Sequence, residues 1–156
     1  MRELKFSNFQ LIVYDFDGVM TDNRVLVMED GKEAVFCKRS DGLAVSQIKK
    51  LGIPQMIIST EQNKVVRQRA KKLNIPCLTN IGNKKLALSS FCRKNKINLK
   101  KVVYIGNDIN DLDAMRLVGL PVCPKDACRE VKKLSKIKLN TKGGEGVIRD
   151  FFDKLK

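Results

Sequence analysis

The chain contains no histidine. Proton transfer near neutral pH must therefore come from carboxylates, lysine or thiols. Zinc sites lose their usual nitrogen ligand as well, and the five cysteines (Cys37, Cys77, Cys92, Cys123 and Cys128) form no Cys-x-x-Cys pair. An odd set of thiols, mostly among apolar residues, reads as reduced and partly buried. Aromatic residues make up only 6% and do not interleave with basic ones, so no nucleic-acid surface is legible. The net charge of +14 is spread along helix faces in short pieces, a solvated basic surface with some attraction for phosphates. No apolar run reaches the ~18 residues that suggest a membrane span. The opening MRELKFSNFQ has no apolar leader, which predicts a cytoplasmic protein with no membrane partner. Internal repeats, low-complexity tracts and linkers are also missing.

What is present suits one domain over 1–156, with 43% hydrophobic residues to fill a core. The runs LIVYDF, PQMIIST, KVVYIGND and LPVCP are apolar along both faces, the pattern of buried strands. PCLTN and KIKLN add two short ones. RVLVME and KEAVFCK flank Asp30-Gly31 and read as a hairpin. Between the strands lie helical patterns: SDGLAVSQIKKLG, EQNKVVRQRAKKLN, NKKLALSSFCRKNKI, INDLDAMRLVG and KDACREVKKLS, with a last helix in GGEGVIRDFFDKL. Alternating strands and helices predict an α/β fold of three layers, a doubly wound and mainly parallel sheet with right-handed crossovers.

In such sheets ligands bind beyond the carboxyl ends of the strands, and the polar residues of this chain collect there. Asp15 and Asp17 end the first strand two positions apart, on one side, with Asp22 nearby. Ser59, Thr60 and Glu61 end the next long strand. Asn83-Lys84-Lys85 opens a helix, and Asn107, Asp108 and Asp111 follow the fourth strand. Crowded carboxylates need a cation or a proton between them. Oxygen donors favour a hard cation such as Mg²⁺, which commonly binds one or two carboxylates together with a substrate phosphate. A lysine and a hydroxyl can hold the remaining phosphate oxygens. Phosphomonoesters hydrolyse so slowly unaided that a carboxylate nucleophile, with a second carboxylate as acid and base, is a fitting device.

With these motifs the sequence resembles the haloacid dehalogenase (HAD) superfamily of phosphotransferases. DFDGVMTD is similar to its first motif, which implies Asp15 as nucleophile and Asp17 as acid-base. Ser59 fits the second motif, Lys85 ahead of LAL fits the third better than Lys84, and GNDIND resembles the fourth. The resemblance implies a Mg²⁺ site of Asp15, Asp17, Asn107 and Asp108, with Asn107 standing where the family usually has Asp. About 40 residues separate Asp17 from Ser59, leaving no room for a cap domain. That resembles the capless branch acting on eight- and nine-carbon keto-sugar acid phosphates, whose members form homotetramers in which a neighbour serves as the cap. DGLA, DACREVKK and KGGEGVIRDFF fit that branch, implying substrate contacts from Thr60, Glu61, Arg39, Asp41, Gly42, Asp111, Gly143 and Gly144. Glu61, where octulosonate phosphatases commonly have Arg, is closer to the nonulosonate phosphatases. Two competing expectations are a non-catalytic domain that serves assembly, as in animal CMP-sialic acid synthetases, and a phosphoryl-accepting receiver domain.

Overall fold

The computed structural model of the chain describes residues 4–156, so the first three residues of the segment read as leaderless lie outside the described residues. Six strands form one parallel sheet in the order β5 (Cys77–Leu78), β4 (Gln55–Ile58), β1 (Leu11–Tyr14), β6 (Val102–Ile105), β7 (Leu120–Cys123), β8 (Ile137–Lys138). β1 lies at the centre, with Tyr14 opposite Ile57 on one side and Ile105 on the other. All four residues of β1, β4, β6 and β7 are buried, which explains why these runs are apolar without alternation.

The two faces of the sheet build two cores. Ile12, Tyr14, Ile57, Val103, Ile105 and Val122 pack under α1 (Arg39–Lys50), α2 (Lys64–Leu73) and α6 (Val147–Leu155). Their strand neighbours Leu11, Val13, Met56, Ile58, Val102 and Tyr104 pack under α3 (Lys84–Lys94), α4 (Leu112–Met115) and α5 (Arg129–Leu134). Period-two alternation thus feeds both sides, giving the three layers expected from the sequence. Two buried polar side chains pair across the core: the Tyr14 hydroxyl donates to Gln55 Oε1 at 2.7 Å, and Gln55 Nε2 donates to the Val45 carbonyl. No helix among the described residues is long and apolar enough to cross a membrane.

Two features differ from the periodicity. The helix expected over 109–119 is a 3-10 turn, Ile109–Asp111, followed by the single turn of α4. The one expected over 125–135 starts only at Arg129, because Cys128 N donates to the Asn107 carbonyl and ties the segment to the site. The hairpin, β2 (Leu26–Val27) and β3 (Glu33–Ala34), keeps just two residues per strand around Gly31, whose φ of +80° suits a glycine turn. Residues 17–59 hold this hairpin, α1 and β4, with no cap domain.

Candidate active site

The end of β1 delivers Asp15. Its backbone N–H still donates to the Ile105 carbonyl, so the side chain is fixed at the sheet's rim. Asp15 Oδ1 accepts from Phe16 N and from Lys84 Nζ, both at 2.7 Å. Lys84 Nζ also reaches Asp111 Oδ1 at 2.7 Å. Asp111 accepts further from the Tyr104 hydroxyl and from the backbone N–H groups of Asn107 and Asp108. All three charged side chains are buried. Burial pulls the Lys84 ammonium down, but Asp15 and Asp111 outweigh it and hold its pKa above the ordinary value. Burial pushes Asp15 well up, Asp111 adds to the push, and Lys84 opposes it. A further cation beside Asp15 would keep it ionised.

Local sequence explains these positions. Asn83 Oδ1 accepts from Leu86 N and caps α3, so Lys84 is its first residue. Lys84, Leu88 and Cys92, spaced by four, form the buried stripe of α3. Lys85 lies about 100° around the helix and is exposed. The lysine expected at position 85 is therefore Lys84, and the buried i, i+4, i+8 stripe was the signal that separates them. Gly106 permits the inward fold of Asp111, since a Cβ there would stand 2.7 Å from the Asp111 carboxyl carbon.

A cleft of about 140 Å³ opens above these groups, lined by Asp15, Asp17, Asn23, Ser59, Thr60, Glu61, Asn107, Asp108 and Asn110. Asp17 Oδ1 accepts from Thr21 Oγ1 at 3.2 Å. Burial raises the Asp17 pKa, and the nearby Glu61 and Glu33 carboxylates add to the rise against the Thr21 bond and Lys84. Ser59 Oγ accepts from Glu61 N, which leaves its proton to turn into the cleft. Asn23, at φ 67°, and Asn110 belong to the walls although sequence reading missed them; the left-handed Asn23 after a DxDG turn was the available hint.

Other expected site residues have different work. Asp41 is buried beneath α6, where its Oδ1 accepts from Arg149 N at 3.0 Å, and so it does not face the cleft. Gly42 packs toward Leu73 and Arg69, and Arg39 is exposed at the start of α1. Asp111 is sealed behind Lys84 and cannot reach a substrate. Gly143 and Gly144 lie against the 18–22 turn; a Cβ on Gly143 would meet the Gly18 carbonyl oxygen at 2.3 Å, and one on Gly144 would meet Asp22 N at 2.4 Å. The tail braces that turn from behind.

A divalent cation fits the donor set, though not with the four side chains expected. Among the described residues no three His, Cys, Asp or Glu side chains are placed to share an ion. The Asp17 carboxylate turns to Thr21, and the exposed Asp108 uses Oδ1 to accept from Ile109 N. Two of the expected side chains do converge, joined by a main-chain oxygen: one end of the Asn107 carboxamide stands 3.0 Å from both Asp15 Oδ2 and the Asp17 carbonyl oxygen. Adjacent oxygens around a magnesium ion at ~2.1 Å stand about 3.0 Å apart.

Residues 45–150 match the haloacid dehalogenase-like hydrolase family. The chain belongs to that family. It is 30% identical to the 3-deoxy-D-manno-octulosonate 8-phosphate phosphatase of Salmonella typhi, over 97% of this chain and 81% of that protein, which places it among the phosphatases of the HAD-like hydrolases. A protein of Streptomyces avermitilis MA-4680, grouped with HAD family hydrolases, superposes with a TM-score of 0.94 at 41% identity, covering 97% of this chain and 87% of that one. The octulosonate 8-phosphate phosphatase of Moraxella catarrhalis, solved with magnesium, phosphate and its octulosonate, gives 0.92 at 28% identity over 96% and 87%. The chain spans only 38% of the length of the N-acylneuraminate cytidylyltransferase of Danio rerio, to which it is 24% identical.

Proposed function

We propose that this HAD phosphatase hydrolyses the phosphomonoester of an eight- or nine-carbon keto-sugar acid, in the cytoplasm, with Mg²⁺ as its ion. The observation that carries the chemistry is the buried Asp15–Lys84–Asp111 cluster opening onto a cleft that also holds Asp17 and Ser59. Asp15, Asn107 and the Asp17 carbonyl would hold the ion, which supplies charge to offset the phosphoryl oxygens. Lys84 Nζ and Ser59 Oγ hold the remaining oxygens. The Asp15 carboxylate attacks phosphorus and the ester P–O bond breaks, while Asp17 gives its proton to the departing alcohol oxygen. Asp17 then takes a proton from water, whose oxygen attacks the aspartyl phosphate, and phosphate leaves with Asp15 restored. A raised pKa suits Asp17 to this double task.

At about 140 Å³ the cleft is smaller than the ~300 Å³ at which ligand sites begin, so it suits the phosphate end alone. Beyond Asp17, Asn23 and Glu61 it continues into a second recess of about 180 Å³, walled by Glu33, Asn63 and Val65. Asn63 Nδ2 donates to Glu33 Oε2 and clasps the hairpin to α2. Carboxylates and amides here suit a polyhydroxylated leaving group, and Arg24 is the basic side chain that lines the same recess. The names of the relatives support the same substrate class.

The hairpin also supports assembly into a homotetramer. Val25, Leu26, Val27 and Met28 are exposed on it, as is Phe36 at 75%, an apolar surface that self-association would cover. Sedimentation of the wild type and of Leu26→Lys/Phe36→Lys tests this: a monomeric wild type would rule the tetramer out.

The function is tested by phosphate release from phosphorylated keto-sugar acids of eight and nine carbons, with and without Mg²⁺. Turnover is expected on one of them and lost in Asp15→Asn. A folded, assembled protein with no turnover on any would favour the assembly-domain reading instead.

A further inference from the structure

Asn107 occupies a position with two competing demands. Its side chain ends in an oxygen and a nitrogen of nearly equal size, and half a turn about χ2 exchanges them. One end packs on Gly18, where a Cβ would stand 2.0 Å from it, so the glycine makes room for the group. The other end faces Asp15 Oδ2 and the Asp17 carbonyl, 3.0 Å from each. With the nitrogen inward, Asn107 donates to both oxygens and closes the gap between them. With the oxygen inward, three oxygens face one another, which is favourable only when a cation, or a proton carried on Asp15 Oδ2, sits among them. Lys84 and Phe16 N reach Asp15 Oδ1, so Oδ2 is the oxygen left to this choice.

We propose that Asn107 is a cation-linked amide switch. Its nitrogen latches Asp15 to the Asp17 carbonyl when the site holds no ion, and its oxygen turns in when a divalent ion binds. An aspartate at this position has no such latch: it would serve the ion-bound arrangement and leave two carboxylates repelling each other without the ion. The asparagine therefore trades affinity for the ion against a folded, ion-free state that closes on itself. The inference rests on the divalent-ion reading of the site.

The test uses the full chain with ¹⁵N-labelled asparagine, stripped of metal and then given saturating Mg²⁺, with calorimetry of ion binding alongside. The Asn107 side-chain resonances are assigned by their loss in Asn107→Asp. In the ion-free chain their protons should exchange with solvent roughly tenfold more slowly than those of exposed asparagines, and Mg²⁺ should shift them and remove that protection. Asn107→Asp should bind Mg²⁺ roughly tenfold more tightly and melt lower than the wild type without ion, with Mg²⁺ restoring it. Binding of Mg²⁺ with no change in the Asn107 resonances overturns the switch and leaves the ion site standing. Absence of binding in both chains overturns the switch and the ion site together. If Asn107→Asp does not fold without ion, the wild-type resonances alone decide.

Discussion

Asp111 and Asp41 are equally hidden, and they are supplied very differently. Asp111 accepts from the Lys84 ammonium, the Tyr104 hydroxyl and two backbone N–H groups. Asp41 accepts from Arg149 N but leaves Oδ2 buried with no partner. Burial drives its pKa up to about 6, against the backbone bonds from Arg149 and Ile148. A buried carboxylate with a cation and donors becomes a rigid support for Lys84 and, through it, Asp15. One left an oxygen short makes the α1–α6 contact sensitive to pH.

The largest effect that would sharpen this contrast is expected from Lys84→Met. Removing the cation leaves Asp15 and Asp111 buried and uncompensated, so urea unfolding should show a loss of about 3–5 kcal/mol. Phosphate release should fall by ~10³-fold as well. Next comes Asp41→Asn, which keeps the acceptor for Arg149 N and removes the ionisation. In the wild type a carboxyl raised from 3.8 to about 6 contributes stability that is present below about pH 4 and lost as pH rises to about 6. The variant should gain on the wild type by about 3 kcal/mol across that window, measured by urea midpoints at both ends. A constant difference between the two chains would break the comparison. Tyr104→Phe takes one donor from Asp111 and should cost about 1 kcal/mol in the same measurement. Lys85→Met, exposed one position further along α3, should stay within about 0.5 kcal/mol and keep full turnover. Equal losses at positions 84 and 85 would mean that the sealed cluster does not support the site.

Much of this was readable from the chain. The four apolar runs had to be central strands, and the parallel order followed from the helices between them. Asp15, Asp17, Ser59, Thr60, Glu61, Asn107 and Asp108 reach one cleft because each closes a strand on the same rim. Rotation about a helix axis was harder to read: Lys84 and Lys85 are chemically alike, and only the burial of Leu88 and Cys92 tells them apart. Asp41, Gly42, Gly143 and Gly144 fitted a family pattern, yet the pattern does not say whether a residue touches ligand or holds the scaffold. Asp111 was misplaced for a related reason. The 3-10 turn that folds it behind Lys84 depends on Gly106 and Tyr104, contacts that no periodicity shows.

The narrow cleft has an evolutionary corollary. The buried carboxylates and Lys84 sit at the sheet's rim, whereas the recess proposed to meet the departing alcohol is walled by a two-residue-per-strand hairpin and the first turn of α2. Apart from Glu33, whose charge bears on Asp17, those two segments stand clear of the buried cluster, so under the proposed function a lineage built on this plan would change its sugar by rewriting the periphery while the centre stays fixed.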